Sequence, residues 1–319
     1  RGEGLSRHAP PATSSPAETW NASMPELPEV ETVRKGLEPV LLGGTFAHVA
    51  TKRADLRFPF PQNFAKRLTG ARVLRLERRA KYLIAHLSTG EALLMHLGMT
   101  GRFHVRAPGE GAPHLLGDYE YETTADPNKH THAVFDMRSG ARVTYADPRR
   151  FGYMLLVPEA ELPEHALMRG LGVEPLSDEL TSIYLAKRAV GRRSDLKAFL
   201  MDQRIVAGLG NIYVCEALFR AGLKPTRRAA VLATASGKPT AHATRLVAGI
   251  KSVLRDAIAA GGSTLRDYRQ ADGTSGAFQN TFQVYGRAGE PCVRPGCRGI
   301  VRRSIQSGRS SFFCPVCQH

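Results

Sequence analysis

The chain has 319 residues, 42% apolar and 23% charged, the balance of a globular protein with a sizeable core and room for two domains, which excludes a disordered or fibrous chain. It holds no run of about 18 uncharged apolar residues, so no membrane-spanning helix is expected. Lys and Arg number 44 against 29 Asp and Glu, a net charge of +15, and a surplus that large favours an anionic partner, either nucleic acid or an acidic membrane surface.

Residues 1–23 carry Pro10, Pro11 and Pro16 among Ala, Ser and Thr, with no apolar period, and are expected to be disordered. They lack the apolar stretch of a secretory signal, so a cytoplasmic location is expected. The first methionine is Met24, and residues 1–23 read as a leader left by cloning or translated from upstream of the start. A helix is predicted over 25–42. Pro28 suits a first turn, Glu29 and Glu31 sit at the positive end of the helix dipole, and Val30, Val33, Leu37 and Leu41 recur at helical spacing. Gly43-Gly44 stops the run.

From 45 to 157 the period becomes two. Segments 71–76, 82–87, 92–97 and 133–137 are β-rich and separated by turn residues, which predicts an antiparallel sandwich or barrel. The stretch 105–131 is polar and rich in Gly and Pro, and reads as a long surface loop. A linker is expected at 158–163, then helices at 178–190, 195–203, 212–221 and 241–259. Leu246, Ile250, Val253, Leu254 and Ile258 share one face of the last. Between the second and third lies Val206-Ala207-Gly208-Leu209-Gly210-Asn211, a tight helix–turn–helix connection with Asn211 read as the N-cap. Residues 263–280 are polar and loop-like, and 283–319 form a small separate module.

That module carries Cys292, Cys297, Cys314 and Cys317 in the spacing C-x4-C-x16-C-x2-C. Two short-spaced thiolate pairs can surround one tetrahedral zinc ion, and four protein ligands make such a site structural. Two disulfides are the competing reading. Ile300, Val301, Ile305, Phe312 and Phe313 can form a hairpin around Gly308, too small to fold without metal. Arg287, Arg294, Arg298, Arg302, Arg303 and Arg309 stand against Glu290 alone, which suits contact with phosphate. Cys215, within a predicted helix, reads as a small buried hydrophobe.

The most informative stretch is Met24-Pro25-Glu26-Leu27-Pro28-Glu29-Val30-Glu31. Removal of Met24 would expose the secondary amine of Pro25. An α-amino group titrates near 7.7–8.0, so such an amine is partly neutral at pH 7 and can attack an electrophilic carbon. Glu26 beside it can give or take a proton. Alone, the motif is equally compatible with an ordinary Pro-rich helix start.

Over essentially all of 24–317 the sequence resembles the formamidopyrimidine-DNA glycosylase family. The matching motifs are PELPEVETVR at 25–34, RRAKYL at 79–84, HLGMTGRF at 96–103, KHTH at 129–132, DPRRFG at 147–152, MDQ at 201–203, GLGNIY at 208–213 and the four-cysteine finger. The resemblance implies an α+β multidomain fold. Its parts would be a catalytic β-sandwich with flanking helices (24–157), a helix–two-turn–helix DNA-binding domain (164–280) containing a lesion loop (263–280), and a zinc-finger hairpin (283–319). It implies a bifunctional glycosylase and AP lyase of base excision repair, acting on double-stranded DNA with oxidised purines, with one structural zinc ion, as a monomer without membrane contact.

Roles follow residue by residue. Pro25 matches the nucleophile that forms a Schiff base with the damaged sugar, and Glu26 the acid that protonates the sugar during base loss. Lys81 matches a proton donor in β-elimination; without the resemblance it would read as a surface lysine. Arg309 matches the finger arginine that grips the lesion phosphate and assists δ-elimination. Met99, Arg149 and Phe151 match the wedge that fills the gap of an extruded base; sequence does not separate Arg149 from Arg150. Asn211 begins a helix whose N–H groups can hold a phosphate. His130, Arg193 and Lys197 fall where the family places further DNA contacts, and His130 and His132 are expected to alternate along a strand edge.

One departure matters: with residues 1–23 attached, Pro25 is a tertiary amide and no nucleophile. Two other functions compete. The related endonuclease VIII branch prefers oxidised pyrimidines but differs from PELPEVE. A non-catalytic zinc-finger DNA binder fits the charge and the cysteines, but gives no reason for Pro25, Glu26 and Lys81 together.

Overall fold

Helix α1 (Leu27–Leu41) begins with a reciprocal cap, the Glu26 backbone N–H donating to Glu29 Oε2 at 3.0 Å. Its predicted stripe of Val30, Val33, Leu37 and Leu41 is buried. The computed structural model describes residues 24–109, 114–116, 130–263 and 278–319. The leader 1–23, most of the expected loop at 105–131, and residues 264–277 of the 263–280 loop lie outside the described residues.

Two antiparallel sheets follow. One has the order β1-β7-β8-β5-β6, built from β1 (Phe46–Thr51), β5 (Arg102–Arg106), β6 (His114–Leu116), β7 (Thr131–Met137) and β8 (Arg142–Ala146). The other has the order β2-β3-β4-β9, built from β2 (Val73–Arg79), β3 (Tyr82–Leu87), β4 (Glu91–His96) and β9 (Tyr153–Pro158). A short helix, α2 (Phe64–Leu68), closes one side. Both sheets and α1 feed one core, with Leu37, Phe46, Leu83, Leu93, Phe103, Phe135 and Met154 among its members. This is the sandwich that alternation predicted.

Two sequence readings change in and beside the sandwich. Residues 105–131 are not all loop: β5 runs to Arg106, and β6 pairs with it in the register Phe103↔Leu116 and Val105↔His114. Nor is 158–163 a free linker. Leu162 and Met168 pack on Ile84, Ala92, Leu94 and Val157, so β3 and β4 are covered on both faces. Burial on both faces explains why these strands read as apolar runs and not as a clean alternation.

The helical part comprises α3 (Ser182–Ala189), α4 (Leu196–Met201), α5 (Asn211–Ala221) and α6 (Ala241–Ala259). Thr181 caps α3 by accepting from Tyr184 N at 3.0 Å, and Asp195 caps α4 by accepting from Ala198 N at 2.7 Å. The cap of α5 is Gly210, and Asn211 is its first helical residue, which corrects the N-cap assigned to Asn211. The predicted face of α6 packs on α5, with Leu246, Ile250, Val253 and Leu254 buried.

Strands β10 (Arg302–Gln306) and β11 (Arg309–Phe313) form the expected hairpin. Ser307 and Gly308 both take positive φ (49° and 75°), as a two-residue turn that matches strand twist requires. The module is not an independent unit: Val284, Val301 and Phe312 form one cluster with Cys215 and Phe219 of α5. Cys215 is the buried hydrophobe expected. Among the described residues no helix is long and apolar enough to cross a membrane.

Candidate active site

The amino end of α1 is driven against the amino end of α5. Leu27 N donates to Gly208 O at 3.1 Å, and Glu26 Oε1 accepts from Ile212 N at 2.9 Å. Glu26 Oε2 lies 3.4 Å from Tyr213 N. The carboxylate thus occupies the α5 N-terminus, where sequence reasoning expected a phosphate. An unpaired helix start accepts any anion, and the nearest one here is internal. Glycine at 210 is a steric necessity: a Cβ there would lie 2.2 Å from Glu26 Cδ. This is the physical content of the Gly-Leu-Gly-Asn motif.

Burial raises the Glu26 carboxyl to about 7, against the opposing pull of Lys81. Protonated and ionised forms are then both populated near neutrality, as an acid that must donate and recover a proton requires. Glu29 supports the site from below. Its Oε1 accepts from Tyr213 Oη at 2.5 Å, Ser263 N at 2.8 Å and Ser263 Oγ at 2.7 Å. Pro25 itself is buried, while Met24 before it is exposed.

Lys81 lies in the turn between β2 and β3 and is only 9% exposed, so it is not a surface lysine. Burial lowers its pKa, countered by the carboxylates of Glu26 and Glu29 and reinforced by the cation of Arg309. Three residues picked from motifs far apart in sequence, Glu26, Lys81 and Arg309, are thus linked electrostatically through Lys81, and Pro25 is the chain neighbour of the first. Arg309 is exposed at the start of β11. Its strand is held to the helical part by Lys197 Nζ, which donates to Ser310 O at 2.9 Å and Ser311 Oγ at 2.6 Å. Asn211 Nδ2 donates to the same Ser310 O at 3.0 Å.

Those contacts alter the picture of two expected DNA ligands. Lys197 is 3% exposed, its ammonium engaged by the finger hairpin. Asn211 likewise spends its amide on the hairpin. Arg193 is exposed between α3 and α4. His130 is half-buried in a left-handed turn (φ 68°) before β7. His132 does not alternate onto an exposed edge; it is buried, with Nε2 2.9 Å from Asp147 O.

The expected wedge is assembled from two loops packed back to back. Gly98, at φ +64°, lets the Met99 turn approach the Phe151 loop; a Cβ there would lie 2.3 Å from the Phe151 carbonyl carbon. Asp147, fully buried, ties both loops together by accepting from Thr100 Oγ1 at 2.5 Å, Gly152 N at 2.8 Å and Tyr145 Oη at 3.3 Å. Thr100 Oγ1 in turn accepts from Arg149 N at 3.1 Å. Phe151 is 41% exposed and Met99 half-buried. The Arg149 guanidinium lies over the Phe151 ring at 4.8 Å, whereas Arg150 is turned to Asp55 at 3.9 Å. The structure therefore separates two arginines that sequence could not.

Cys292, Cys297, Cys314 and Cys317 bring their four sulfurs within 4.8 Å of one another, and none is in a disulfide. The 292–317 and 297–314 Sγ pairs are 3.7 and 3.6 Å apart. A tetrahedron with metal–sulfur bonds of about 2.3 Å has edges of about 3.8 Å, so the donor set fits a tetrahedral thiophilic ion. Arg294 N and Gly299 N point at Cys292 Sγ and Cys297 Sγ from 3.5 and 3.4 Å.

Residues 24–154 match the formamidopyrimidine-DNA glycosylase N-terminal domain, and residues 171–269 match the H2TH domain of the same enzyme. The chain belongs to the formamidopyrimidine-DNA glycosylase family. It is 59% identical to the formamidopyrimidine-DNA glycosylase of Methylobacterium nodulans over 295 residues, covering 92% of this chain and 99% of that protein. It is 54% identical to that of a Chelativorans species over 299 residues, covering 92% of this chain and all of the other. Among solved structures, MutM (Fpg) of Thermus thermophilus superposes with a TM-score of 0.74 at 40% identity, over 92% of this chain and 98% of that one. A Lactococcus lactis Fpg in complex with DNA containing an abasic site superposes at 0.76 with 30% identity, over 92% of this chain and all of that one. The chain is thus an enzyme of a DNA glycosylase/AP lyase family.

Sequence reasoning missed three residues of the site. Asp147 lies inside a quoted motif, yet nothing in DPRRFG marks its carboxylate as the hub of two loops. Glu29 was read only for its dipole, although its place three residues after Glu26 is the capping-box signal. Glu174, described below, carries no local signal at all.

Proposed function

We propose that this protein excises oxidised purines, 8-oxoguanine and formamidopyrimidines, from duplex DNA and then cuts the strand at the resulting site. The observation that carries the reading is the convergence of Glu26, Lys81 and Arg309 at the amino end of α1, where Pro25 lies. A Lactococcus lactis Fpg mutant with Fapy-dG-containing DNA superposes on the chain with a TM-score of 0.77, which supports this substrate class.

In a protein that begins at Pro25, the neutral amine attacks C1′ of the extruded nucleotide. The glycosidic bond breaks and the base leaves, while Glu26, poised near pH 7, delivers a proton to the sugar as its ring opens. The product is an iminium between Pro25 and C1′. Loss of a proton from C2′ expels the 3′ phosphate, and a second elimination expels the 5′ phosphate. Lys81, a lysine of lowered pKa, exchanges protons in the first elimination, and Arg309 holds the lesion phosphate for the second. Met99, Phe151 and Arg149 fill the space of the extruded base, with the Arg149 guanidinium bonding the orphaned partner. Exposed Arg193 and half-buried His130 add backbone contacts; Lys197 and Asn211 serve the DNA by fixing the finger hairpin. The four cysteines would hold one zinc ion, which supplies folding energy to the finger and no chemistry. The protein works as a monomer, in the compartment that holds the DNA.

The test is borohydride trapping on a duplex containing 8-oxoguanine. Protein beginning at Pro25 should give a covalent adduct. The full chain, whose Pro25 is acylated by Met24, should give none. Absence of an adduct from the Pro25-initiated protein would leave only DNA binding; preferential trapping on oxidised pyrimidines would move the assignment to the endonuclease VIII branch.

A further inference from the structure

Lys81 makes no side-chain hydrogen bond among the described residues, yet it must be aimed at the site. Its backbone supplies the aim. Ala80, immediately before it, is buried and held at φ +54°, a strained region for a residue with a Cβ that persists only where the surroundings over-determine it. What holds it is Glu174, from the start of the helical part, 94 positions away. Glu174 Oε1 accepts from Ala80 N at 2.6 Å and Arg79 Nη1 at 2.9 Å, and Oε2 accepts from Arg78 Nη1 at 2.9 Å. Arg78 Nη1 also donates to Ala80 O at 3.0 Å, so both backbone polar groups of the strained residue are pinned. Arg78 Nε reaches Glu31 Oε2 at 3.1 Å, which extends the network to α1, the helix that begins beside Pro25 and Glu26.

We infer that Glu174 is a positioning residue for Lys81: it crosses from the helical part to lock the β2–β3 turn in its left-handed form, and thereby couples the docking of the two parts to the direction of the Lys81 ammonium. A bare domain latch would need one ion pair between side chains. Here the same carboxylate also holds the backbone N–H next to the lysine. The inference rests on the role proposed for Lys81.

The experiment is a double-mutant cycle on single-turnover cleavage at a preformed abasic site, using Pro25-initiated protein with Glu174→Ala, Lys81→Ala and both. Glu174→Ala should slow cleavage at least about 10-fold, while affinity for a duplex with an uncleavable abasic analogue stays within about 3-fold; on top of Lys81→Ala it should cost less than about 2-fold more. Glu174→Gln, which keeps an acceptor for Ala80 N–H, should recover part of the rate, and takes the place of Glu174→Ala in the cycle if the alanine variant does not fold. Additive losses, or a fall in affinity that matches the fall in rate, would overturn the inference and leave Glu174 a latch. If Lys81→Ala itself cleaves at the normal rate, the role given to Lys81 fails first, and the inference with it.

Discussion

The Glu26 carboxyl offers a measurable consequence of its burial. Moving it from its ordinary 4.5 to about 7 means that, once ionised, it withdraws about 3 kcal/mol from the folded state. The sign is opposite to that of a salt-bridged carboxylate. The folded state binds this proton more tightly than the unfolded one, so the favourable contribution is complete below pH 4.5 and lost as pH rises through about 7. Glu26→Gln stays neutral throughout. Its carbonyl can still accept from Ile212 N, while the weaker bond to Tyr213 N is lost at a cost of about 1 kcal/mol. The variant should therefore match the wild type near pH 5 and exceed it by about 2 kcal/mol near pH 8.5, several degrees in Tm. Thermal or urea melts of the full chain at the two pH values read this directly, because the acylated Pro25 does not titrate. A stability difference that does not change with pH would refute the reasoning. The same variant should lose base excision, and wild-type excision should follow a bell-shaped pH profile, limited on the alkaline side as Glu26 ionises above about 7 and on the acid side as the Pro25 amine of a Pro25-initiated protein is protonated.

Three further outcomes follow from the geometry. Gly210→Ala would drive a Cβ into Glu26, 2.2 Å from Cδ, and should lower base excision at least about 100-fold in single-turnover assays together with Tm; a fully active variant would mean that the α1–α5 contact is irrelevant. Cys314→Ser, or treatment with a strong chelator, should release one equivalent of bound metal and weaken lesion-duplex binding at least about 10-fold; unchanged binding by metal-free protein would detach the finger from recognition. Arg149→Ala should relax discrimination of the base opposite the lesion by about 1–3 kcal/mol, whereas Arg150→Ala, whose guanidinium faces Asp55, should stay near wild type; equal losses would erase the distinction between them.

Much of this protein was legible in its residues because the signals were local. The stripe Val30, Val33, Leu37 and Leu41 dictated α1, alternation dictated the sandwich strands, and paired cysteines dictated a four-sulfur cluster. Motif identity singled out Pro25, Glu26, Lys81 and Arg309 before any of them had a neighbour. Errors arose where a local rule competed with a distant partner. Asn211 has the right chemistry for an N-cap, but Glu26, 185 positions earlier, already fills the α5 terminus. Lys197 is matched to a DNA contact by motif alone, and no local pattern shows that its ammonium is engaged by Ser310 and Ser311 of β11.

Sequence by itself thus determined which side chains carry charge, sulfur or nucleophilic nitrogen, and which local elements bear them. Only the tertiary structure decided their ionisation and aim. A carboxyl rises to about 7, and a lysine falls, because burial removes water from groups that no short-range pattern identifies as buried. The β2–β3 turn keeps its strained form because a glutamate from another part of the chain completes it. Desolvation and long-range hydrogen bonding depend on what surrounds a residue in space, and that becomes fixed only when the whole chain has packed.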